Sequence, residues 1–381
     1  MKVFILSTGI FNRQYGQQRY ELNFLQSLFL FYPKIFFRVI LLNDKKIEPP
    51  LLNLNKNIKF ICCGKRIRLI SKIKFVLFGL FYFIKDKPNF LICGHINLSV
   101  LSFFLYKVFG IPYIILTHGT DAWNIKSTLK KYALINAKKV VSVSRYTAQC
   151  IEEQIPSLKN KIFILPNSVD TEKFLPKEKS DYLLEKYQLF GYKIMLTVAR
   201  LDVYDRDKGY DKVILALPKV LEIIPNLKYI LIGEGDDLPR IKNLISELNL
   251  NKHVILTGYI SDDRLPDYYN LCDLFIMPSK QEGFGIVFLE ALACGKPVIA
   301  GNKDGSREAL LEGKLGILVD PDDINVICKA IIDVLNKKVP SKLIDSQYLR
   351  KEIVENFSKE NFFKKAKTLF DSILFDRKYF N

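Results

Sequence analysis

The chain is poor in groups that hold metals. Its 381 residues include only 3 histidines, and its 7 cysteines (62, 63, 93, 150, 272, 294 and 328) are scattered without C-x-x-C spacing. No His/Cys cluster points to zinc. An odd, dispersed set of cysteines, several of them in apolar stretches, fits reduced core thiols in the cytoplasm and argues against a disulfide framework. A membrane-spanning helix is missing as well: the apolar run Phe75–Ile84 has ten residues, against about 20 needed to cross a bilayer. Met1–Ser7 is too short an apolar run for a secretory signal, and glycine and polar residues follow it. Repeats and low-complexity tracts are absent. So is a G-x-G-x-x-G between the first strand and helix of either half, which excludes a dinucleotide fingerprint.

What the chain does have is an uneven charge. Residues 1–170 hold 25 Lys and Arg against 8 Asp and Glu, whereas residues 171–381 hold 32 of each, so the net charge of +17 belongs to the first part. A basic half joined to a neutral half suits an anionic surface or substrate on one side. With 49% apolar and 25% charged residues the composition is ordinary for a globular protein, and the length suits two domains, each with its own core.

In the first part, strands expected at 2–8, 35–42, 58–62, 89–93, 111–116, 139–143 and 162–165 alternate with helical segments, after a glycine-containing loop, Gly9–Gly16. The second part repeats the rhythm from Lys193, with strands at 228–232, 254–257, 273–277, 297–300 and 316–319. β-then-α repetition predicts parallel sheets covered on both faces, an α/β fold of two doubly wound, Rossmann-like domains. The expected division is a first domain over 1–170, a polar connection over 171–190, a second domain over 191–357, and a C-terminal helix from 358 that packs back on the first domain. Ligands in such sheets bind beyond the carboxyl ends of the strands, which places the site in a cleft between facing domains.

The segment Ile67–Pro88 carries Arg68, Lys72, Lys74, Lys85 and Lys87 around Phe75–Ile84, with Lys65-Arg66 just before it. It reads either as a basic amphipathic helix for anionic lipid or as a buried helix with basic ends, and the charge excess favours the membrane. Leu98–Tyr106 is also apolar, but Gly110 and Pro112 follow, which marks a core helix ahead of a strand.

The chemistry gathers around Ser279–Ala291. Gly283 and Gly285 let the backbone approach a ligand around Phe284, and the helix from Ile286 offers free N–H groups to an anion. Glu282 and Glu290 supply acceptors for hydroxyls on either side. Such a cradle fits a diphosphate lying between two sugars. Arg200 ends a buried strand, and Lys208-Gly209 stands eight residues on; together they would neutralise a diphosphate and support it as a leaving group. Asp205-Arg206-Asp207 resembles a D-x-D metal site, but neighbouring cations would compete with a divalent ion, so no metal is expected. His118 follows the strand Tyr113–Leu116 beside Gly119, where a neutral imidazole can hydrogen-bond a substrate hydroxyl or relay a proton. His95 also follows a strand. Gly233-Glu234-Gly235 suits a turn after a strand.

Taken in order, these motifs resemble glycosyltransferase family 4, retaining enzymes of the GT-B fold, over essentially the whole chain. Tyr15-Gly16-Gln17-Gln18-Arg19-Tyr20 looks like the family's N-terminal glycine loop and Thr117-His118-Gly119 like its histidine segment. Leu165–Asp170 looks like its P-N-G-V-D, Arg200 with Lys208 like its phosphate-binding pair, and Gly233-Glu234-Gly235 like its G-x-G turn. Glu282 to Glu290 is its E-x(7)-E signature. The chain departs from the pattern at Tyr15, where the family has glycine, and at Ser168.

The resemblance implies that Arg200 and Lys208 hold the diphosphate and that Glu290 accepts from ribose hydroxyls. It also implies that Glu282 and the Gly283-Phe284-Gly285 amides hold the donor sugar. His118 contacts that sugar from the first domain, Gly16 lets the first loop close over the phosphates, and Gly233 belongs to the nucleotide site. The implied reaction is transfer of a hexose, with retention, from a nucleoside-diphosphate sugar such as GDP-mannose or a UDP-hexose, without metal or other cofactor. The basic first domain and the segment 65–87 suggest an anionic, membrane-bound acceptor, a lipid-linked or polysaccharide-precursor glycan on the inner face of the cytoplasmic membrane, in the manner of a mannosyltransferase-like family member. A GT-B epimerase or phosphorylase is the nearer alternative. A basic nucleic-acid-binding protein would use the charge but has no need of the glutamate pair.

Overall fold

The computed structural model describes residues 1–11, 16–47 and 56–374. The chain divides into two compact units, one made of Met1–Asn167 with the segment from Glu360 onward, the other of Ser168–Lys359.

The first unit is built on a seven-stranded parallel sheet in the order β3-β2-β1-β4-β5-β6-β7. Its strands are β1 (Lys2–Ser7), β2 (Phe36–Leu41), β3 (Ile58–Cys62), β4 (Phe90–Cys93), β5 (Tyr113–Thr117), β6 (Lys139–Ser142) and β7 (Ile162–Ile164). Strands such as β4 and β5 are buried along their whole length, which is why they read as unbroken apolar runs. Helix α1 (Gly16–Phe31) follows β1; α2 (Arg68–Asp86), α3 (Ser99–Phe109), α4 (Thr128–Asn136) and α5 (Arg145–Gln154) follow later strands. Ser127 and Ser144 cap α4 and α5 by accepting from the amides of Lys130 and Thr147, which satisfies donors that the helix leaves open.

The C-terminal helix Lys359–Leu374 packs on this same unit. Phe362 meets Tyr20 edge-on at 5.4 Å, Phe370 lies 4.9 Å from Tyr32 and 6.2 Å from Phe90, and the Tyr32 hydroxyl donates to Asp371 at 2.6 Å.

The second unit holds a six-stranded parallel sheet, β10-β9-β8-β11-β12-β13. The strands are β8 (Lys193–Val198), β9 (Leu227–Ile232), β10 (Val254–Gly258), β11 (Leu274–Met277), β12 (Val298–Gly301) and β13 (Ile317–Val319). Its main helices are α6 (Tyr210–Ile223), α7 (Leu238–Glu247), α8 (Leu265–Leu271), α9 (Ile286–Ala293), α10 (Ile324–Leu335) and α11 (Ser346–Phe357).

Two features differ from the sequence expectation. The stretch 171–190 is part of the second unit and no free connection. Phe174, Leu183 and Leu189 within it are buried, and Arg350 donates to the carbonyls of Thr171 and Phe174 at 2.9 Å. Helix α11 was hidden by its polar composition, although Leu349, Ile353 and Phe357 recur at i, i+4 and i+8 on its buried side.

In both sheets the strand order reverses beside the first strand, between β1 and β4 and between β8 and β11. Loops at such a switch point open a crevice at the carboxyl ends of the strands. Each unit places its candidate residues there.

Candidate functional site

In the second unit the loops after β8 and β11 meet. Gly209 has a φ of 76°, and a Cβ there would stand 2.3 Å from the Pro278 carbonyl oxygen, so only glycine permits the approach. The Lys280 amide donates to the Asp207 carbonyl at 2.9 Å. This contact sets Lys208 beside Glu282: Nζ donates to Oε2 at 2.6 Å and to the Gln281 carbonyl at 3.2 Å. Burial disfavours the Lys208 ammonium, but the Glu282 carboxylate outweighs it and its pKa is raised.

Arg200 stands on the same loop, half exposed, 3.0 Å from Asp205 and 3.9 Å from Asp202. Burial raises the Asp205 pKa against the opposing pull of Arg200 and Lys208. Asp205 and Asp207, the D-x-D pair of the sequence, therefore lie against Arg200 and Lys280. Gly233 supports the loop from beneath. A Cβ there would sit 1.9 Å from the Ala199 carbonyl oxygen, and the Leu201 amide donates to the Glu234 carbonyl at 2.9 Å.

The glycine turn leads directly into α9. Gly285 is its left-handed cap with φ 92°. A Cβ on Gly285 would meet the Phe288 ring at 2.3 Å. Phe284 is buried, 5.5 Å edge-on from Phe357, and pins the turn. Glu290 lies one turn into the helix and is only 1% exposed, with the Tyr269 hydroxyl donating to its Oε2 at 2.7 Å. The carboxylate expected to meet a ribose is thus already held from within the unit.

Asp304 was not singled out from the sequence. Its buried carboxylate accepts from the Glu282 amide at 2.7 Å, from Ser279 Oγ at 2.9 Å and from the Ser306 amide at 2.9 Å. It therefore locks the turn that carries Glu282. Burial raises its pKa to about 6.

In the first unit, Gly16 opens α1; the Tyr15 departure and most of the loop before Gly16 lie outside the described residues. His118 follows β5. Its Nε2 is 2.7 Å from the Gly94 carbonyl oxygen and 3.6 Å from Glu21 Oε1, and its backbone amide donates to Asp121 Oδ1 at 2.9 Å. A carbonyl can only accept, so Nε2 holds the proton and Nδ1 the lone pair. Nδ1 is buried with no partner among the described residues. Burial lowers the His118 pKa to about 4, which keeps the ring neutral. His95 is adjacent, its ring 5.6 Å from that of His118, and burial lowers its pKa to about 3.

Glu21 also escaped sequence reading. It is 2% exposed, accepts from Ser7 Oγ at 2.5 Å and Gln17 Nε2 at 3.0 Å, and burial raises its pKa to about 8. A Cβ on Gly94 would come 2.5 Å from its Oε2. The available signal was periodicity: Glu21 shares the inward stripe of α1 with Phe24, Leu25 and Leu28, where an acid has no bland reason to be.

Residues 184–356, within the second unit, match the family model for glycosyl transferases group 1. That stretch, a little under half of the chain, is similar to this family. The chain is 34% identical over 233 residues to the GDP-mannose-dependent alpha-(1-6)-phosphatidylinositol monomannoside mannosyltransferase of Mycolicibacterium smegmatis, a match covering 58% of this chain and 59% of that enzyme. The chain thus spans less than two thirds of that relative's length. It is 26% identical over 311 residues to an Escherichia coli UDP-Gal:alpha-D-GlcNAc-diphosphoundecaprenol alpha-1,3-galactosyltransferase, covering 77% and 78% of the two chains. The solved structure of Anabaena HepE in complex with UDP superposes with a TM-score of 0.78 at 18% identity, covering 98% of this chain and all of that one. Likeness at that identity carries the fold. The group 1 domain sits in a chain of GT-B architecture.

Proposed function

We propose that this chain, whose second unit matches the group 1 family model, is a retaining glycosyltransferase that moves a hexose from a nucleoside-diphosphate sugar to a hydroxyl of a lipid-linked or polysaccharide-precursor glycan. The observation that carries this reading is the Lys208–Glu282 pair, 2.6 Å apart, beside the cap of α9 at Gly285. A cation and helical amides in that place suit a diphosphate, while Glu282 suits sugar hydroxyls.

In the reaction the bond from the anomeric carbon to the diphosphate oxygen breaks. The acceptor hydroxyl attacks the same face through an oxocarbenium-like state, and the departing phosphate oxygen takes the acceptor's proton. Arg200 and Lys208 stabilise the charge that develops on the diphosphate, Glu290 the ribose side, and His118 offers its Nδ1 lone pair to a sugar hydroxyl. The positive charge comes from side chains, so turnover is expected to persist in EDTA.

A GDP-sugar is supported by the mycobacterial mannosyltransferase's donor, and a UDP-hexose by the galactosyltransferase and by UDP in HepE. The lipid-linked acceptors in two of those names support an acceptor at the cytoplasmic membrane face. Thermal shift against a panel of nucleotide sugars, followed by transfer assays with the one that binds, tests the reading. Arg200→Ala or Lys208→Ala should each lose roughly 3 kcal/mol of transition-state stabilisation, about a hundredfold in rate. Near-normal turnover in the double variant would sink the assignment.

A further inference from the structure

Helices α2, α3 and α4 lie side by side over one face of the first sheet. The chain reverses direction between β3 and β4, and right-handed crossovers then put the helices after β3, β4 and β5 on a common side. Phe75 and Phe83 of α2, Leu105 of α3, and Ala133 and Leu134 of α4 share one core. Phe83 and Phe109 stand 5.2 Å apart across the α2–α3 seam, and α3 runs along α4.

Helix α2 is apolar on two opposite sides. Its inward stripe, Ser71, Phe75, Gly79 and Phe83, is buried. Half a turn away Leu69, Ile73, Leu77, Phe81 and Ile84 repeat at helical spacing and are between 51% and 65% exposed. A helix that only covered a sheet would need the first stripe alone. The second continues onto the neighbours. Phe104 and Val108 of α3, and Leu129 and Tyr132 of α4, are each more than half exposed, so α3 is a core helix on one side only.

Cations frame this surface. By helical spacing Lys72 flanks the outward stripe on one side, and Lys74 and Lys85 flank it on the other. Residues 65–139 contain thirteen Lys and Arg and two acids. Of the acids, Asp86 is tied to Arg38 and Asp121 is turned toward His118 and His95. The ammonium groups of Lys74, Lys85 and Lys107 stand 5.3, 5.8 and 5.5 Å from the ring centres of Phe78, Phe81 and Phe103. Their stems follow apolar surface while the charge remains outermost.

We propose that this three-helix face is the docking surface for an anionic lipid bilayer, with α2 lying in the interface and its outward stripe inserted among the acyl chains. Charge decides the occupant. A second copy of the same face would set its rim of cations against an identical rim, and a nucleic acid would leave the apolar stripe in water. An anionic leaflet answers both, lipid head groups meeting the rim and hydrocarbon meeting the stripe. No described helix is long and apolar enough to cross the membrane, so the contact is with one leaflet. The inference rests on the proposed function only for its purpose, delivery of a lipid-linked acceptor.

The test is co-flotation of the full chain with vesicles, without nucleotide sugar, at physiological salt, where the Debye length is about 8 Å. Binding to mixed phosphatidylglycerol–phosphatidylcholine vesicles should exceed binding to pure phosphatidylcholine roughly tenfold or more. Leu77→Glu with Ile84→Glu, both at exposed positions, should weaken it by a further factor of about ten while the melting curve stays unchanged. Phe81→Trp adds an indole that brominated acyl chains should quench. Loss of binding on addition of polyanions together with no bromine quenching would overturn insertion in favour of a nucleic-acid surface. Salt-independent dimers in sedimentation, with no vesicle binding, would overturn it in favour of self-association. A parallel thermal shift with UDP and GDP keeps the two readings apart: nucleotide binding without vesicle binding defeats the docking surface alone.

Discussion

At the scale of single residues, the first unit hides a set of titrating groups around His118. Glu21 and Asp121 have pKa values raised by burial to about 8 and about 7, whereas those of His118 and His95 are lowered by burial to about 4 and about 3. Both pairs favour the neutral form when folded. The stability due to protonated Glu21 is complete below its ordinary value near 4.5 and is lost as pH rises to about 8; Asp121 acts in the same sense. The histidines act oppositely: the stability due to their neutral rings is complete above about 6.5 and is lost as pH falls toward 4 and 3. The first unit should therefore be most stable in mildly acidic solution. Glu21→Gln, which stays neutral at every pH, should match the parent near pH 5 and melt higher at pH 8.5 and above. Melting temperatures at those two pH values check this, and an equal difference at both would show that Glu21 is not held neutral.

At the scale of elements, helix α9 and its cap hold the turn that carries Glu282. Gly285→Ala would force an L-residue to φ 92°, a conformation that costs of order 1–3 kcal/mol, and would drive its methyl into the Phe288 ring. We expect a lower melting temperature together with a loss of nucleotide affinity larger than that of Phe284→Leu, which keeps the cap. Calorimetric binding of UDP or GDP decides; unchanged affinity in Gly285→Ala would remove the cap from the site. This element was legible in the sequence because the glycines, the apolar run after them and the glutamate spacing all lie within thirteen consecutive residues. Strands were legible for a related reason, since burial on both faces leaves an unbroken apolar run. The locking groups were not. Asp304 reaches Glu282 across 22 positions and Tyr269 reaches Glu290 across 21, and no local pattern announces a partner that only the sheet topology brings near. Helix α3 is the core helix the sequence suggests, but composition gives apolarity without saying which side has a neighbour, so its outward residues Phe104 and Val108 were not legible.

At the scale of the whole molecule, the C-terminal helix closes the core of the unit in which the chain began. Phe362, Leu369, Phe370 and Ile373 are each no more than 3% exposed, and each buries apolar area worth about 1.5–3 kcal/mol. Their sum is comparable to the 5–15 kcal/mol that stabilises a typical domain. Ending the chain at Ser358 should therefore unfold the first unit outright, because Tyr20, Tyr32 and Phe90 lose their ring partners together. The second unit keeps its own core of β8–β13 and the helices around it, and should melt separately. Calorimetry of the full chain should resolve or broaden into two transitions, and the shortened chain should retain only the one that nucleoside diphosphate raises. A shortened chain that kept both would show that the helix merely rests on the unit. Loss of both would show that the two cores depend on each other for stability. Vesicle binding should disappear with the first transition and nucleotide binding should persist, since the basic helices belong to the first unit whereas Lys208, Glu282 and the cap of α9 belong to the second.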